Sequence, residues 1–369
     1  MAKQTLRISY ADMPADHDER NNDIVSTLEE TYNIIIDHQN PDLLVYSCFG
    51  HSHLLYEKPL MLYCAGENAH PDFTACDYAF SFLRDRVGGR NMYKTYNTLT
   101  DYQATMPMPS DEEALHRRFA IFIASQDNMG RGAALRKLFT QRLMEQYKHV
   151  DCPGKVLHNV DIPDLSDRQS NDWSASKLPV LNRYKFNIAF ENSNTDGYIT
   201  EKLSDAFRAC TVPIYWGSEG NPAPFPREAM IYANDYPNID ALIARMREVD
   251  ENDALYLSIL RANPLYSDAF SKKIAAVEAE RKEFLHRIAE EALARRTIQE
   301  DDLQQSCRCN PQYTFSRHLR ETTQSCPALT SKGLTHSFIQ NIVHLHFLRP
   351  GAVRKKCLLS NIFRKQNSH

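Results

Sequence analysis

The chain has 369 residues, of which 42% are hydrophobic and 24% charged, and its formal net charge is −4. That length exceeds one ordinary core and suits two domains with a cleft between them, while the near-neutral balance excludes a general nucleic-acid binder. No window is long and apolar enough for a transmembrane helix, and MAKQTLRISYADMPAD lacks the apolar centre of a signal peptide, so the expected location is the cytoplasm. Nine cysteines, an odd number and several within apolar runs, read as reduced thiols, and no N-x-[ST] site occurs.

In chain order, LRISY (Leu6 to Tyr10) and DLLVYSCF (Asp42 to Phe49) read as strands. NDIVSTLEETY between them has helical spacing through Ile24, Leu28 and Tyr32. PLMLYCAGEN is another buried strand that stops at Gly66-Glu67-Asn68. Strands alternating with helices predict a parallel sheet, and ligands of such sheets collect beyond the carboxyl ends of the strands, where Glu67 falls. The prolines of TMPMPSDEE (Thr105 to Glu113) mark a domain boundary.

Beyond it, RFAIFIAS is a strand and NMGRGAALRKLFTQRLMEQY a glycine-containing turn and helix, with Leu135, Leu138, Phe139 and Leu143 on one face. PGKVLHNV, the strand YKFNIAFE, the helix ITEKLSDAFRA and the strand TVPIYW complete a second βαβ unit. No Gly or Pro interrupts Ser267 to Asn310, and Phe270, Ile274, Val277, Phe284, Leu285 and Ile288 recur at helical intervals, which predicts a long amphipathic helix. After Glu321 no acidic residue follows, whereas seven Lys and Arg do. Apolar and basic residues together suit a helix lying on an anionic membrane surface, and equally a segment packed on the protein or partly disordered.

FENSNTDGYITEKLSDAF, Phe190 to Phe207, gathers hydroxyl, amide, carboxylate and ammonium groups between a buried strand and a helix. Ile199, Leu203, Ala206, Phe207 and Cys210 form the apolar face of that helix and turn Glu201 and Ser204 away from the sheet. Glu201 and Lys202 then sit in the first turn, where unpaired N–H groups and the helix dipole favour an anion such as a phosphate. Lys202 is electrostatically misplaced for a lone helix, a conflict that a bound diphosphate removes.

The longer string YKFNIAFENSNTDGYITEKLSDAFRACTVPIYWG, Tyr184 to Gly217, closely resembles the donor signature of the α1,3-fucosyltransferase family. CAGENAHPDFTACDYAFSF (Cys64 to Phe82) is similar to that family's bacterial segment ending in GEN, and FIASQDNMGRGAALR to its strand and turn with a donor-binding arginine. The resemblance covers roughly residues 5 to 265. It implies an α/β chain of the GT-B class: an acceptor-binding Rossmann-like domain over 1–107 and a GDP-fucose-binding one over 108–265, facing across a cleft. The long helix over 266–310 and a basic, partly irregular tail over 311–369 follow.

The implied reaction is inverting transfer of fucose from GDP-fucose to a hydroxyl of a GlcNAc or Glc unit, as in N-acetyllactosamine or lactose. Such a transfer needs a carboxylate base, and the match to GEN assigns Glu67, with Glu191 as the second candidate. Cations must meet the charge that develops on the leaving diphosphate, and Lys202 and Arg131 are the candidates, with Arg136 able to take the place of Arg131. By the same match Glu201 binds ribose hydroxyls, while Asn192, Tyr198 and Glu191 belong to the donor pocket.

No obligatory cofactor or dedicated metal site is expected, although a divalent ion that stimulates turnover is compatible with this fold. Asp16 to Asp18, reading DHD, lies in an early polar loop, and His51, His53, Cys307 and Cys309 lack further ligands at zinc spacing. Phosphate-loop motifs for nicotinamide or ATP are absent. Two other readings keep the same pocket: a nucleotide-sugar-binding protein without transfer, and a GT-B transferase using another nucleotide sugar. A further expectation is peripheral attachment to the inner face of the cell membrane through the tail.

Overall fold

The computed structural model describes residues 3–94, 105–127, 130–166 and 173–309; the basic tail over 311–369 lies outside them. Strands β1 (Thr5–Ala11), β2 (Asn33–Ile36), β3 (Leu43–Tyr46), β4 (Leu60–Cys64), β5 (Tyr78–Ser81) and β6 (Asn91–Tyr93) form one sheet, with α1 (Asp23–Glu29) between the first two. Its order is β2-β1-β3-β4-β5-β6, and every pair is parallel. The strands are short and nearly continuous in apolar residues because both faces are covered: Leu43, Leu44, Leu60 and Leu62 are fully buried.

After Met106 the chain passes through α2 (Asp111–Leu115), capped by Ser110 and Glu113 in a reciprocal box, into a second sheet. This sheet contains β7 (Arg118–Ile121), β8 (Val150–Asp151), β9 (Tyr184–Phe190), β10 (Val212–Trp216) and β11 (Ile231–Tyr232). They lie in the order β11-β10-β9-β7-β8, again all parallel. Helices α3 (Gly130–Gln146), α4 (Trp173–Leu181) and α5 (Glu201–Arg208) connect them, and α6 (Ile239–Glu251) and α7 (Asp253–Arg261) follow.

The long helix α8 runs from Asp268 to Cys309. Phe270 and Ile274 near its start join the core beside β10, whereas Phe284, Leu285, Ile288 and Ala289 join the core of the first sheet. Arg295 and Arg296 add ion pairs to Asp77 and Asp42. The helix expected over 266–310 as a separate region is therefore built into both cores, and residues 1–299 make one compact unit.

Several local expectations are corrected. Leu138 is 46% exposed, because α3 buries Ala133, Arg136, Phe139, Thr140 and Leu143 instead. Ser204, expected to face away from the sheet, is buried, since α5 is covered on both sides and packs against α4 as well as β9. PGKVLHNV, to which the sequence reading assigned no element, forms turns, and the paired strand is Val150–Asp151 just ahead of it.

Candidate active site

In the second sheet β8 and β9 flank β7 on opposite sides, so the chain reverses its direction of travel between β7 and β9. A crevice opens at the carboxyl ends of such a pair. There β9 delivers Glu191, which has no exposed surface, and its backbone N–H bonds the carbonyl of Trp216 at 2.8 Å. Thr200 donates its N–H to Glu191 Oε1 at 2.8 Å and its hydroxyl to Oε2 at 2.7 Å. Thr200 consequently makes no side-chain cap on α5, which leaves the first-turn N–H groups without that partner. Gly217 makes the close packing possible: at φ +153°, a Cβ there would lie 2.6 Å from Glu191 Cγ.

Lys202 Nζ reaches back from α5 to Thr200 Oγ1 (2.9 Å), Glu201 Oε1 (3.3 Å) and Glu191 Oε2 (3.4 Å). Burial disfavours its charge, but Glu191 and Glu201 outweigh burial and raise its pKa, so it stays an ammonium. Burial likewise raises the carboxyl of Glu191, against the pull of Lys202. Glu201 goes the other way: burial opposes its charge, yet Lys202 and Lys177 hold its carboxyl down to about 2.

A pKa depressed from 4.5 means that Glu201 contributes stability above that pH, which is lost as the pH falls towards 2. Glu201→Gln is expected to lower the melting temperature at pH 6, with the gap to wild type closing between pH 5 and pH 2.5. Thermal unfolding by circular dichroism measures this; a constant gap would show that the charge of Glu201 is not what stabilises.

Arg136 and Arg131 part company in the structure. Arg131 is exposed at the start of α3, whereas Arg136 is buried and donates to Asn192 Oδ1 at 3.0 Å and to the carbonyl of Gln126 at 2.8 Å. Arg136, Lys177 and Lys202 line one pocket together with Phe122, Ile123 and the end of β9. Helix spacing explains the difference: Arg136 lies three residues before Phe139 and seven before Leu143, on the buried face. The start of α3 presses on the donor loop, since Gly132 N–H bonds the Asn192 carbonyl at 2.9 Å and a Cβ there would meet the Glu191 carbonyl oxygen at 2.0 Å. No motif pointed to Lys177, which sits on the unanticipated helix α4 and pairs with Asp205 at 2.8 Å. Arg208 shares that aspartate, so Lys202 faces Glu191 and Glu201 while Lys177 and Arg208 face Asp205.

The loop between β9 and α5 also joins this site to the first sheet. Tyr198, expected in the donor pocket, is only 2% exposed, and its ring is packed among Tyr46, Tyr63, Ala79 and Phe82 of the first sheet. Its hydroxyl donates to Glu67 Oε2 at 3.1 Å. Burial first, then the nearby Glu191 and Glu67, push its pKa far up, so it remains a neutral donor. Asn68 Nδ2 donates to Ser193 Oγ (2.5 Å) and Thr195 Oγ1 (2.7 Å), and Tyr93 donates its hydroxyl to the Gly197 carbonyl at 2.7 Å. Arg84 adds bonds to Asp196 Oδ1 (3.0 Å) and the Asn221 carbonyl (2.9 Å). Of the first-domain residues in these contacts, Glu67 and Asn68 lie within a motif read from the sequence, whereas Arg84 and Tyr93 lie outside one. Among the described residues no group of three or more His, Cys, Asp or Glu side chains is placed to hold a metal ion.

Residues 116–291 match the family described as glycosyltransferase family 10 (fucosyltransferase) C-term, and residues 8–99 match the alpha-(1,3)-fucosyltransferase FucT N-terminal domain. The chain belongs to the α1,3-fucosyltransferase family.

This family member is 27% identical over 287 residues to alpha-(1,3)-fucosyltransferase FucT of Helicobacter pylori, an alignment covering 67% of this chain and 57% of that protein. It is 29% identical over 182 residues to alpha-(1,3)-fucosyltransferase B of Drosophila melanogaster, covering 44% and 41%, and 31% identical over 148 residues to GDP-fucose protein O-fucosyltransferase 3 of Xenopus laevis, covering 40% and 31%. It thus spans little more than half, or less, of these relatives' lengths. A solved α1,3-fucosyltransferase superposes with a TM-score of 0.62 at 26% identity, covering 78% of this chain and 91% of the other. A solved complex of α1,3-fucosyltransferase with GDP-fucose gives 0.61 at 23%, covering 79% and 92%. Two parallel sheets and this likeness establish the GT-B fold, with two Rossmann-like domains.

Proposed function

We propose that the protein transfers fucose from GDP-fucose to a hydroxyl of a GlcNAc or Glc unit in a glycan, forming an α1,3 bond with inversion. The observation that carries this reading is the Tyr198 hydroxyl bond to Glu67, which ties the GEN carboxylate to the cation-lined end of β9. GDP lies with its diphosphate at the start of α5, among Lys202, Arg136 and the uncapped N–H groups, and Glu201 receives the ribose hydroxyls. Arg136 suits the role better than Arg131 because it is already oriented by Asn192.

Glu67 removes the acceptor hydroxyl proton as that oxygen bonds to the anomeric carbon. The bond from that carbon to the β-phosphate oxygen breaks on the opposite face, and its electron pair leaves with GDP, where Lys202 meets the charge. One displacement at one carbon inverts it. Glu191 fits the base role poorly, since Thr200 occupies both its oxygens and it has no exposed surface. The donor cations need no metal beside them, so transfer is expected to persist in EDTA.

The test is incubation with GDP-fucose and, separately, lactose, N-acetyllactosamine and a Ser/Thr peptide, with products read by mass spectrometry and the anomeric configuration by NMR. Competition by GDP-mannose and UDP-sugars checks the donor. GDP binding without product on any acceptor would favour a binding protein, and product on the peptide alone would move the acceptor class to proteins.

A further inference from the structure

We propose that the loop after β3 is the acceptor platform, with the ring of Phe49 receiving the apolar face of the acceptor's pyranose unit; this rests on the transferase reading of Glu67. The first sheet has its own reversal point, between β1 and β3, because β2 lies on one side of that pair and β4 on the other. The loops beyond those two carboxyl ends begin at Asp12 and Ser47. By the rule that locates the donor crevice in the second sheet, a ligand belongs here, and Glu67 lies in the loop just past the end of β4 beside it.

The loop is held rigidly. Asp12, at φ +55°, accepts the N–H (2.8 Å) and hydroxyl (2.6 Å) of Ser52 and the N–H of His53 (2.9 Å), and His53 Nδ1 lies 2.6 Å from its Oδ2. The imidazole stacks on Tyr46 with centroids 4.2 Å apart. Gly50 has to be glycine, since a Cβ would lie 2.4 Å from Asp12 Oδ1.

This rigidity presents apolar side chains outward. Phe49 is 49% exposed and Leu55 69%. The Phe49 ring is nevertheless fixed against Gly66, where a Cβ would lie 2.5 Å from Cε2, one residue before the proposed base. A half-exposed ring costs apolar burial, and a fixed ring loses little further freedom when a ligand lies on it. A hexopyranose matches: its C–H face covers an aromatic ring while its hydroxyls reach the polar rim, one of them towards Glu67.

In Phe49→Ala the KM for lactose or N-acetyllactosamine is expected to rise at least tenfold, with the KM for GDP-fucose within twofold of wild type and an unchanged melting temperature. Phe49→Trp should keep the acceptor KM near wild type. Cys48, exposed next to Phe49, supplies a readout independent of turnover. Lactose or N-acetyllactosamine should slow its alkylation by iodoacetamide, mapped by peptide mass, in wild type but not in Phe49→Ala, and GDP alone should not. Protection without transfer would support the platform and defeat the catalytic reading. Transfer without protection, or an unchanged acceptor KM in folded Phe49→Ala, would overturn the platform, and neither transfer nor protection would overturn both.

Discussion

Glu67→Gln is expected to lower turnover about a thousandfold, within the range supplied by a positioned general base. The substitution preserves shape, because the Tyr198 hydroxyl can donate to an amide oxygen as it does to Glu67 Oε2. It removes the lone pair that takes the acceptor's proton. GDP affinity by calorimetry and the melting temperature should match wild type, since Glu67 is partly exposed and meets the donor loop at the Tyr198 hydroxyl. Turnover within tenfold of wild type would mean that the base lies elsewhere.

Lys202→Met should be nearly as damaging, for two separable reasons. It takes the ammonium away from the diphosphate, for which a loss of about a hundredfold in kcat/KM is the expected scale. It also strands Glu191, a fully buried carboxylate whose partner stood 3.4 Å away, and breaking such a pair costs about 3 to 5 kcal/mol. Adding Glu191→Gln separates the effects: the double variant should recover much of the melting temperature but none of the donor affinity. GDP binding at wild-type strength by Lys202→Met would exclude that lysine from the diphosphate site.

The donor motif could be read in the sequence because strand, loop and helix start are contiguous, so one stretch carries both the local structure and the reactive groups. The boundaries of α8 were equally plain, since helix periodicity and the lack of Gly and Pro are local properties. Strands of three or four residues, such as Asn33–Ile36 and Asn91–Tyr93, carry too few positions to show a period. Helix α4 was hidden by Pro179 within it. His53 read as an ordinary loop histidine because its partner, Asp12, is 41 residues away.

Neighbours within a few turns of chain set the two βαβ patterns, the long helix, and the cluster of Glu191, Asn192, Glu201 and Lys202, so these were legible before any fold was known. Long-range packing alone buries Arg136 rather than Arg131 against Asn192, brings Lys177 to the other cations, and sets Tyr198 in the first sheet's core with its hydroxyl on Glu67. Those outcomes depend on which helix faces and loop tips meet across separations such as the 131 residues between Glu67 and Tyr198. Packing of whole sheets sets such distances, and no local pattern encodes them.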